Sequence, residues 1–435
     1  MCRLSCEKNT LEKELVKKKL AELYSSEKLG IAPGKLSGDV FVPQSKSAAH
    51  RALIMAFLSG DIELAKIDES CASDDIKATK KALIRFGEAA KNISSEPVEI
   101  DCKESGSTLR FLIPLAAVLG VPTKFVGSGR LPQRPIKEYE GVFEGSGAEM
   151  IYLDETGLSL PLLVKGKMKA GSYSLPGNVS SQYISGLLMA LSSADGASRL
   201  KLTTELESRP YVDLTCEVMR AFGVEVEEEN DGYSLKGENK PNRKEDFEVE
   251  ADYSQAAFWL VAEYLGSDVK LTNLPKKTAQ GDRAIVDLLS GLKEAGKKNE
   301  IFEMDARDVP DLVPVFAVAA AATNCVTRIV HAERLRIKES DRIASTAAML
   351  TELGVKNRIT DDGIEIEGKA EDKCFSGGTV DSCKDHRLVM AASIAATRAK
   401  DTVWIKYPMA VEKSYPDFFE DYLNLGGRIN GINVG

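Results

Sequence analysis

The chain has 435 residues, 43% of them hydrophobic and 28% charged, which is a soluble-globular balance too long for one ordinary core. Its formal net charge of −9 gives a general nucleic-acid or anionic-membrane role no support, so any anion site must be a local concentration of Lys and Arg. No run approaches the roughly 18 apolar residues that a membrane span requires.

The opening stretch, "MCRLSCEKNTLEKELVKKKLAEL", is charged and lacks an apolar core of the signal-peptide kind. It is expected to form a short amphipathic helix with Leu11, Leu15, Val16, Leu20 and Leu23 on one side. From residue 44 onward two helical patterns alternate. One has a polar, often Ser-rich start and an almost wholly apolar body: "SKSAAHRALIMAFL", "SGSTLRFLIPLAAVL", "SSQYISGLLMAL", "YSQAAFWLVAEYL", "VPDLVPVFAVAAAA" and "KDHRLVMAASIAA". Helices that are apolar all round are expected to be buried all round. The other pattern is amphipathic and runs into a glycine, at Gly87, Gly147, Gly223, Gly296, Gly354 and Gly426. Glycine just past a helix supplies a left-handed C-cap, so each of the six is expected to end its helix. Short strand-like runs lie between, such as "TKFVGS", "SRLKLTTE", "DVKLTNL" and "DTVWIKY".

Six copies of this unit predict an α/β (α+β) protein of two similar three-repeat domains. The first would hold 44–251. The second would hold 252–435 with 1–43, including an N-terminal extension over 1–30.

The polar residues gather where the helices begin. Lys46, Ser47 and Arg51 open the first inner helix; Gly106 and Arg110 lie in the next; Ser180, Ser181 and Gln182 open the third. Asp311 and Arg387 stand at the later ones, and Arg134, Ser208, Tyr211, Lys338, Glu339, Arg342 and Lys413 at the starts of the amphipathic set. Helix N-termini offer free N–H groups and the positive end of the dipole, so each is a seat for an anion. Eight cations, Lys46, Arg51, Arg110, Arg134, Lys338, Arg342, Arg387 and Lys413, are expected to face one interdomain cleft. That suits two small ligands carrying phosphate and carboxylate groups. The cations are expected to lack internal balance, holding the empty cleft open until ligands neutralise it. The eight cysteines show no zinc-like spacing and are expected to be reduced thiols of a cytosolic protein. The three histidines are scattered, so a His-based metal site is not expected.

"QSKSAAHRALIMAFL", "ESGSTLR", "RPI", "NVSSQY", "SRPYVD", "VPDLVPVFA", "RIKESDR", "KDHR" and "VEKSYPDF" occur in this order, and together they resemble the 5-enolpyruvylshikimate-3-phosphate synthase family from about residue 32 to 428. The resemblance implies two domains of three βαβαββ units with the active site in the cleft between them. It implies transfer of the enolpyruvyl group of phosphoenolpyruvate to the 5-hydroxyl of shikimate 3-phosphate, with no cofactor, by a cytoplasmic monomer. Shikimate 3-phosphate would meet Lys46, Ser47, Arg51, Ser180, Ser181, Gln182, Ser208, Tyr211, Asp311 and Lys338. Phosphoenolpyruvate would meet Lys46, Gly106, Arg134, Gln182, Arg342, Arg387 and Lys413. Asp311, Glu339, Lys338 and Lys46 would carry the proton transfers. Retention of Gly106 implies that glyphosate competes with phosphoenolpyruvate.

Three positions depart from the family pattern. Gln44 stands for a glycine, Glu104 for an asparagine, and Arg334 for an asparagine four residues before Lys338. Two related readings compete. A UDP-N-acetylglucosamine enolpyruvyl transferase usually carries a cysteine in the loop here reading "VGSGRLPQRPI". A non-catalytic binder of phosphorylated metabolites would not need Asp311, Lys338, Glu339 and Lys413 all in place.

Overall fold

The computed structural model describes residues 28–91, 96–238 and 240–430. The chain divides into two compact units. The first is Gln44–Glu250 with Lys277–Gly281; the second is Met1–Pro43, Ala251–Lys276 and Asp282–Gly435. The backbone therefore passes from one unit to the other four times, the last two around the five residues 277–281. Those five are tied to the first unit by Gln280 Nε2 and Thr278 Oγ1, which both donate to Glu250 Oε1. The amphipathic helix expected within 1–27 lies outside the described residues.

Among the described residues, each unit carries two four-stranded sheets and one two-stranded sheet. The four larger sheets share one topology. In the first unit, Val98–Asp101 runs parallel to Thr123–Val126, which pairs antiparallel with Leu162–Gly166, which pairs antiparallel with Ala148–Tyr152. The strands Ser172–Leu175, Ser198–Leu202, Gly232–Leu235 and Glu227–Glu229 repeat this order. In the second unit, Phe302–Asp305, Val326–Val330, Ile364–Glu367 and Asn357–Ile359 do so again. The fourth copy is assembled from both ends of the chain. Gly378–Asp381 and Val403–Lys406 are joined by the early strand Lys28–Ala32 and then by Arg428–Ile429.

The apolar helices are buried as their sequences require. Lys46–Leu58, Gly106–Leu119 and Ser181–Leu191 lie in the core of the first unit, and Tyr253–Tyr264, Val313–Ala321 and His386–Ala396 in that of the second. Burying each Leu, Ile or Phe on them contributes about 1.5–3 kcal/mol. Their polar first residues act as caps, because buried helix ends must satisfy their free N–H groups. Ser45, Ser105 and Ser180 cap the three in the first unit. Asp252 and Asp385 cap two in the second, while Val313–Ala321 grows from a 3-10 turn, Pro310–Leu312, that contains Asp311.

The glycine rule holds at only some positions. Gly223, Gly354 and Gly426 have φ of 85°, 79° and 82° just beyond their helices. Gly147 is also left-handed, but three residues separate it from the short helix Glu140–Phe143. Gly87 and Gly296 end nothing: they lie inside Asp74–Lys91 and Ile285–Lys298. At Gly296 a Cβ would fall 2.5 Å from Thr323 Cγ2, so that glycine permits a close approach, and Asn299, with φ 54°, makes the cap instead.

Candidate active site

Within the first unit the cluster is built on the first turns of the three inner helices. Ser180 accepts from Gln182 N at 3.3 Å and opens Ser181–Leu191. The Gln182 side chain then crosses to the neighbouring helix: its Nε2 donates to Ser107 Oγ at 2.8 Å, and its Oε1 accepts from Arg110 Nη1 at 2.7 Å. Arg110 is buried and lies over the Tyr183 ring. Two helix N-termini are thereby held in register by a glutamine amide that uses both its ends.

Gly106 and Arg134 form a second pair. A Cβ at Gly106 would lie 2.7–2.9 Å from three atoms of the Arg134 guanidinium. The absent side chain is therefore what allows Arg134, itself 8% exposed, to reach the helix end. Ser208 precedes Arg209–Ala221 with φ 55°, a conformation that costs a non-glycine residue about 1 kcal/mol or more and is found at ligand-binding turns. Tyr211 is in the first turn that follows.

Lys46 differs from the expectation of unbalanced cations, whereas Arg51 is bonded to neutral oxygens. Lys46 Nζ is 3.0 Å from Asp75 Oδ2, with both side chains largely buried. Arg51 is 2% exposed and turns inward. Its Nε donates to Thr215 Oγ1, its Nη1 to Ser47 O, and its Nη2 to Ser185 Oγ and Tyr211 O. Burial lowers its pKa to about 10, still leaving it charged at neutral pH. It anchors the backbone of Ser47 and Tyr211, which are themselves among the site residues expected from the sequence.

In the second unit the charges knot around Arg342, the first residue of Arg342–Glu352. Its Nη1 is 2.8 Å from Asp311 Oδ1, its Nη2 2.8 Å from Glu339 Oε2, and its Nε 2.7 Å from Asp385 Oδ2. One guanidinium thus serves three carboxylates. Burial works against its charge, but Asp385, Glu339 and Asp311 outweigh this and raise its pKa. Asp385 is fully buried, caps His386–Ala396 by accepting from Arg387 N, and also accepts from Ser340 Oγ. Arg387 Nη2 is 2.8 Å from Asp311 Oδ2. Burial would raise the Asp311 pKa, yet Arg387, Lys338 and Arg342 hold it well below the usual carboxylate range. Arg342 and Arg387, like Lys46, are thus balanced by carboxylates within the fold, which corrects the expectation of uncompensated charge at these three cations.

Several expected residues occupy different local settings from those anticipated. Lys338 and Glu339 lie in the turn after a 3-10 run, Glu333–Ile337, not in a helix. Lys413 closes the 3-10 run Pro408–Lys413 and donates to Lys384 O at 3.1 Å. Arg134 follows the 3-10 turn Leu131–Gln133. Of the departures, Gln44 spans a loop, donating to Lys66 O and accepting from Asp68 N. The Glu104 carboxylate packs over Gly129, where a Cβ would be 2.4 Å from its Oε2. Arg334 donates to Arg307 O at 2.7 Å.

Sequence reasoning missed Asp75, the triple role of Asp385, and Asp282. Asp282 is 4% exposed and accepts a hydrogen bond from Ser254. Burial, then the nearby Asp311 charge, push its pKa up to about 7. An isolated aspartate in "QGDRAI" carries no sequence signal of such a setting.

The family described as EPSP synthase (3-phosphoshikimate 1-carboxyvinyltransferase) has a sequence model that matches residues 31–422. The 3-phosphoshikimate 1-carboxyvinyltransferase of Clostridium novyi is 39% identical over 442 aligned positions, covering 94% of this chain and 100% of the relative. That of Clostridium acetobutylicum is 41% identical, covering 93% and 99%. Among solved structures, EPSP synthase from Acinetobacter baumannii superposes with a TM-score of 0.73 at 23% identity, covering 93% of this chain and all of that one. The enolpyruvyl transferase NikO from Streptomyces tendae gives 0.65 at 16% identity, covering 93% and 98%. At those identities the two structures speak to the fold alone, which is the two-domain α/β architecture described above.

Proposed function

The chain belongs to the EPSP synthase family, and from that premise we propose that the clusters of its two units serve one reaction on shikimate 3-phosphate and phosphoenolpyruvate. The protein is a transferase of the shikimate pathway, in aromatic amino acid biosynthesis. Enolpyruvyl transfer requires three events. A proton is added to the methylene carbon of phosphoenolpyruvate. The 5-hydroxyl oxygen bonds to C2 and gives up its proton. The adduct then returns a methyl proton and expels phosphate as its C–O bond breaks. An acid, a base and fixed cations suffice for this.

The neutral serine caps of the first unit leave its helix dipoles uncompensated, which suits the phosphate of shikimate 3-phosphate at Ser180, Ser181, Ser208 and Tyr211, with Lys46, Ser47, Arg51 and Gln182 beside the ring. Arg134 over Gly106, with Arg342, Arg387 and Lys413, binds the phosphate and carboxylate of phosphoenolpyruvate, for which planar guanidinium forks are fitted.

The observation that carries the mechanism is Asp311 clasped between Arg342 and Arg387. While clasped it is a poor base. When the anionic groups of phosphoenolpyruvate take donors from Arg387, Asp311 loses counter-charge and its proton affinity rises. Asp311 then accepts the hydroxyl proton, while Glu339, next to Lys338, exchanges the proton at the methylene carbon. Substrate binding in this way arms the base. We place the protein in the cytosol, where the free thiols of its described cysteines would stay reduced, and take the monomer as the working form.

Phosphate release tests the reading. It should require both substrates together and fail with either alone or with UDP-N-acetylglucosamine in place of shikimate 3-phosphate. Release with the UDP-sugar would assign the protein to the other transferase, and binding of both without release would make it a non-catalytic binder.

A further inference from the structure

Lys413 ends a 3-10 run of six residues, Pro408–Lys413. Such runs rarely exceed three or four residues, because the hydrogen-bond geometry of the tight helix is poor. A lysine also stands on four flexible methylenes, so its ammonium is only as well placed as the backbone beneath it. The chain turns back just after the lysine, where Val411 O accepts from Ser414 N at 3.0 Å and from Tyr415 N at 2.7 Å. The inner helix Tyr253–Tyr264 supports this turn from outside. Gln255 Nε2 donates to Ser414 Oγ at 2.5 Å, and Trp259 Nε1 donates to Tyr415 Oη at 3.3 Å. Residues four apart share a helix face, so one face of this helix grips two consecutive residues beside Lys413.

The two grips differ in kind. Trp259 and Tyr415 are buried rings packed edge to face at 6.3 Å, and Phe418 stacks on the indole at 5.1 Å, so their contact belongs to the core. Gln255 is a buried amide that bonds Ser414 and leaves its Oε1 with no partner among the described residues. A buried acceptor left unpaired costs stability. A leucine in its place would remove that orphan and leave Ser414 Oγ as another, an exchange close to neutral for folding. Stability therefore gives little reason for an amide at this position, whereas a bond to the residue next to Lys413 does. We propose that Gln255 is a positioning residue for Lys413: by fixing Ser414 it holds the backbone from which the lysine reaches phosphoenolpyruvate. The inference rests on the reading above for the ligand but not for the placement of the lysine.

Gln255→Leu removes the bond and keeps most of the bulk; Ser414→Ala removes the same bond from its other end. In each variant KM for phosphoenolpyruvate should rise about five- to tenfold, because a lysine that must first be ordered binds more weakly. KM for shikimate 3-phosphate should stay within about twofold, and the melting temperature within about 3 °C, of the unmutated protein. The double variant should be no worse than either single one, since both substitutions break one contact. Losses that multiply in the double variant, or a large fall in melting temperature common to both singles, would overturn the proposal and leave Gln255 a residue of the core.

Amine acylation supplies a readout that needs no substrate. Brief treatment of the full chain with an N-hydroxysuccinimide ester of acetic acid, followed by peptide mass spectrometry, reports how readily each lysine is reached. Lys413 should react about threefold faster or more in both single variants, as its backbone is released. The exposed Lys356 should react at its usual rate. An unchanged Lys413 rate in both variants would sink the proposal even if activity were never detected. Faster labelling with an unaltered KM for phosphoenolpyruvate would support the positioning and remove Lys413 from the phosphoenolpyruvate site. Faster labelling in a protein that releases no phosphate would instead refute the functional reading alone.

Discussion

At the residue scale, the cations of the candidate site are not free hands waiting for ligands. Lys46 holds Asp75, Arg51 holds backbone oxygens, and Arg342 holds three carboxylates. The residue types were legible because the cations and carboxylates fall within an ordered set of motifs, several of them, such as Lys46, Arg342 and Arg387, at helix starts. Their partners were not, because Asp75, Thr215 and Asp385 come from separate elements whose convergence is a tertiary fact. Gly106 shows the same division. Its sequence motif marks it as part of a ligand loop, but the reason it must be glycine is the Arg134 guanidinium within 2.9 Å of where a Cβ would be. Gly106→Ala must displace that guanidinium, and the loss of a charge-assisted hydrogen bond costs about 1.5–3 kcal/mol. KM for phosphoenolpyruvate should therefore rise roughly 10- to 100-fold, while that for shikimate 3-phosphate stays nearly constant. Steady-state kinetics with each substrate varied in turn would reveal the opposite pattern if Arg134 served the shikimate ring.

At the element scale, the helices were the most legible feature. All six apolar runs became buried helices, since a segment with no polar face has nowhere else to go. What periodicity could not supply was the purpose of each glycine, because a C-cap and a close-packing site look alike in sequence. Two substitutions separate them. Gly87→Ala removes a flexible residue mid-helix, and its Cβ would meet only the Phe57 ring at 3.5 Å, so stability should rise by about 0.5–1 kcal/mol. Gly296→Ala would press on Thr323 Cγ2 at 2.5 Å and should instead destabilise by about 1–3 kcal/mol. Denaturant midpoints measured side by side should move in opposite directions; a shift in the same direction would mean that helix propensity alone governs both. The caps divide by unit in a parallel way, serine in the first and aspartate in the second. Ser180→Asp keeps a capping oxygen but adds a negative charge at the proposed phosphate seat. Its melting temperature should stay within a few degrees of the unmutated protein, yet KM for shikimate 3-phosphate should rise at least about tenfold. An unchanged KM would remove Ser180 from the phosphate site.

At the scale of the whole molecule, two units of like topology carry opposite chemistry. In the first, neutral caps leave helix ends positive and place Arg110 and Arg134 beside them; in the second, Asp311, Glu339 and Asp385 gather on a single arginine. The six-fold repeat was visible in the sequence because each copy must bury its own helices. The closing of the last sheet was not visible: Lys28–Ala32 pairs with Val403–Lys406 across more than 370 residues, and no local pattern encodes so distant a partner. The division of labour predicts how the two substrates should be felt by the backbone. Shikimate 3-phosphate alone should slow amide exchange chiefly at the first turns of Lys46–Leu58, Gly106–Leu119, Ser181–Leu191 and Arg209–Ala221, where its phosphate and ring are proposed to be seated. Phosphoenolpyruvate added to that complex has to displace carboxylates from Arg342 and Arg387, so new protection should reach the first turns of Arg342–Glu352 and His386–Ala396. Phosphoenolpyruvate alone should protect both sets weakly, because nothing then offsets the cost of opening the clasp on Asp311. Hydrogen exchange followed by mass spectrometry resolves these segments. Protection of the two units to equal extent by shikimate 3-phosphate alone would show that the carboxylate cluster takes part in first binding, and the proposal that substrate arms the base at the second step would fail.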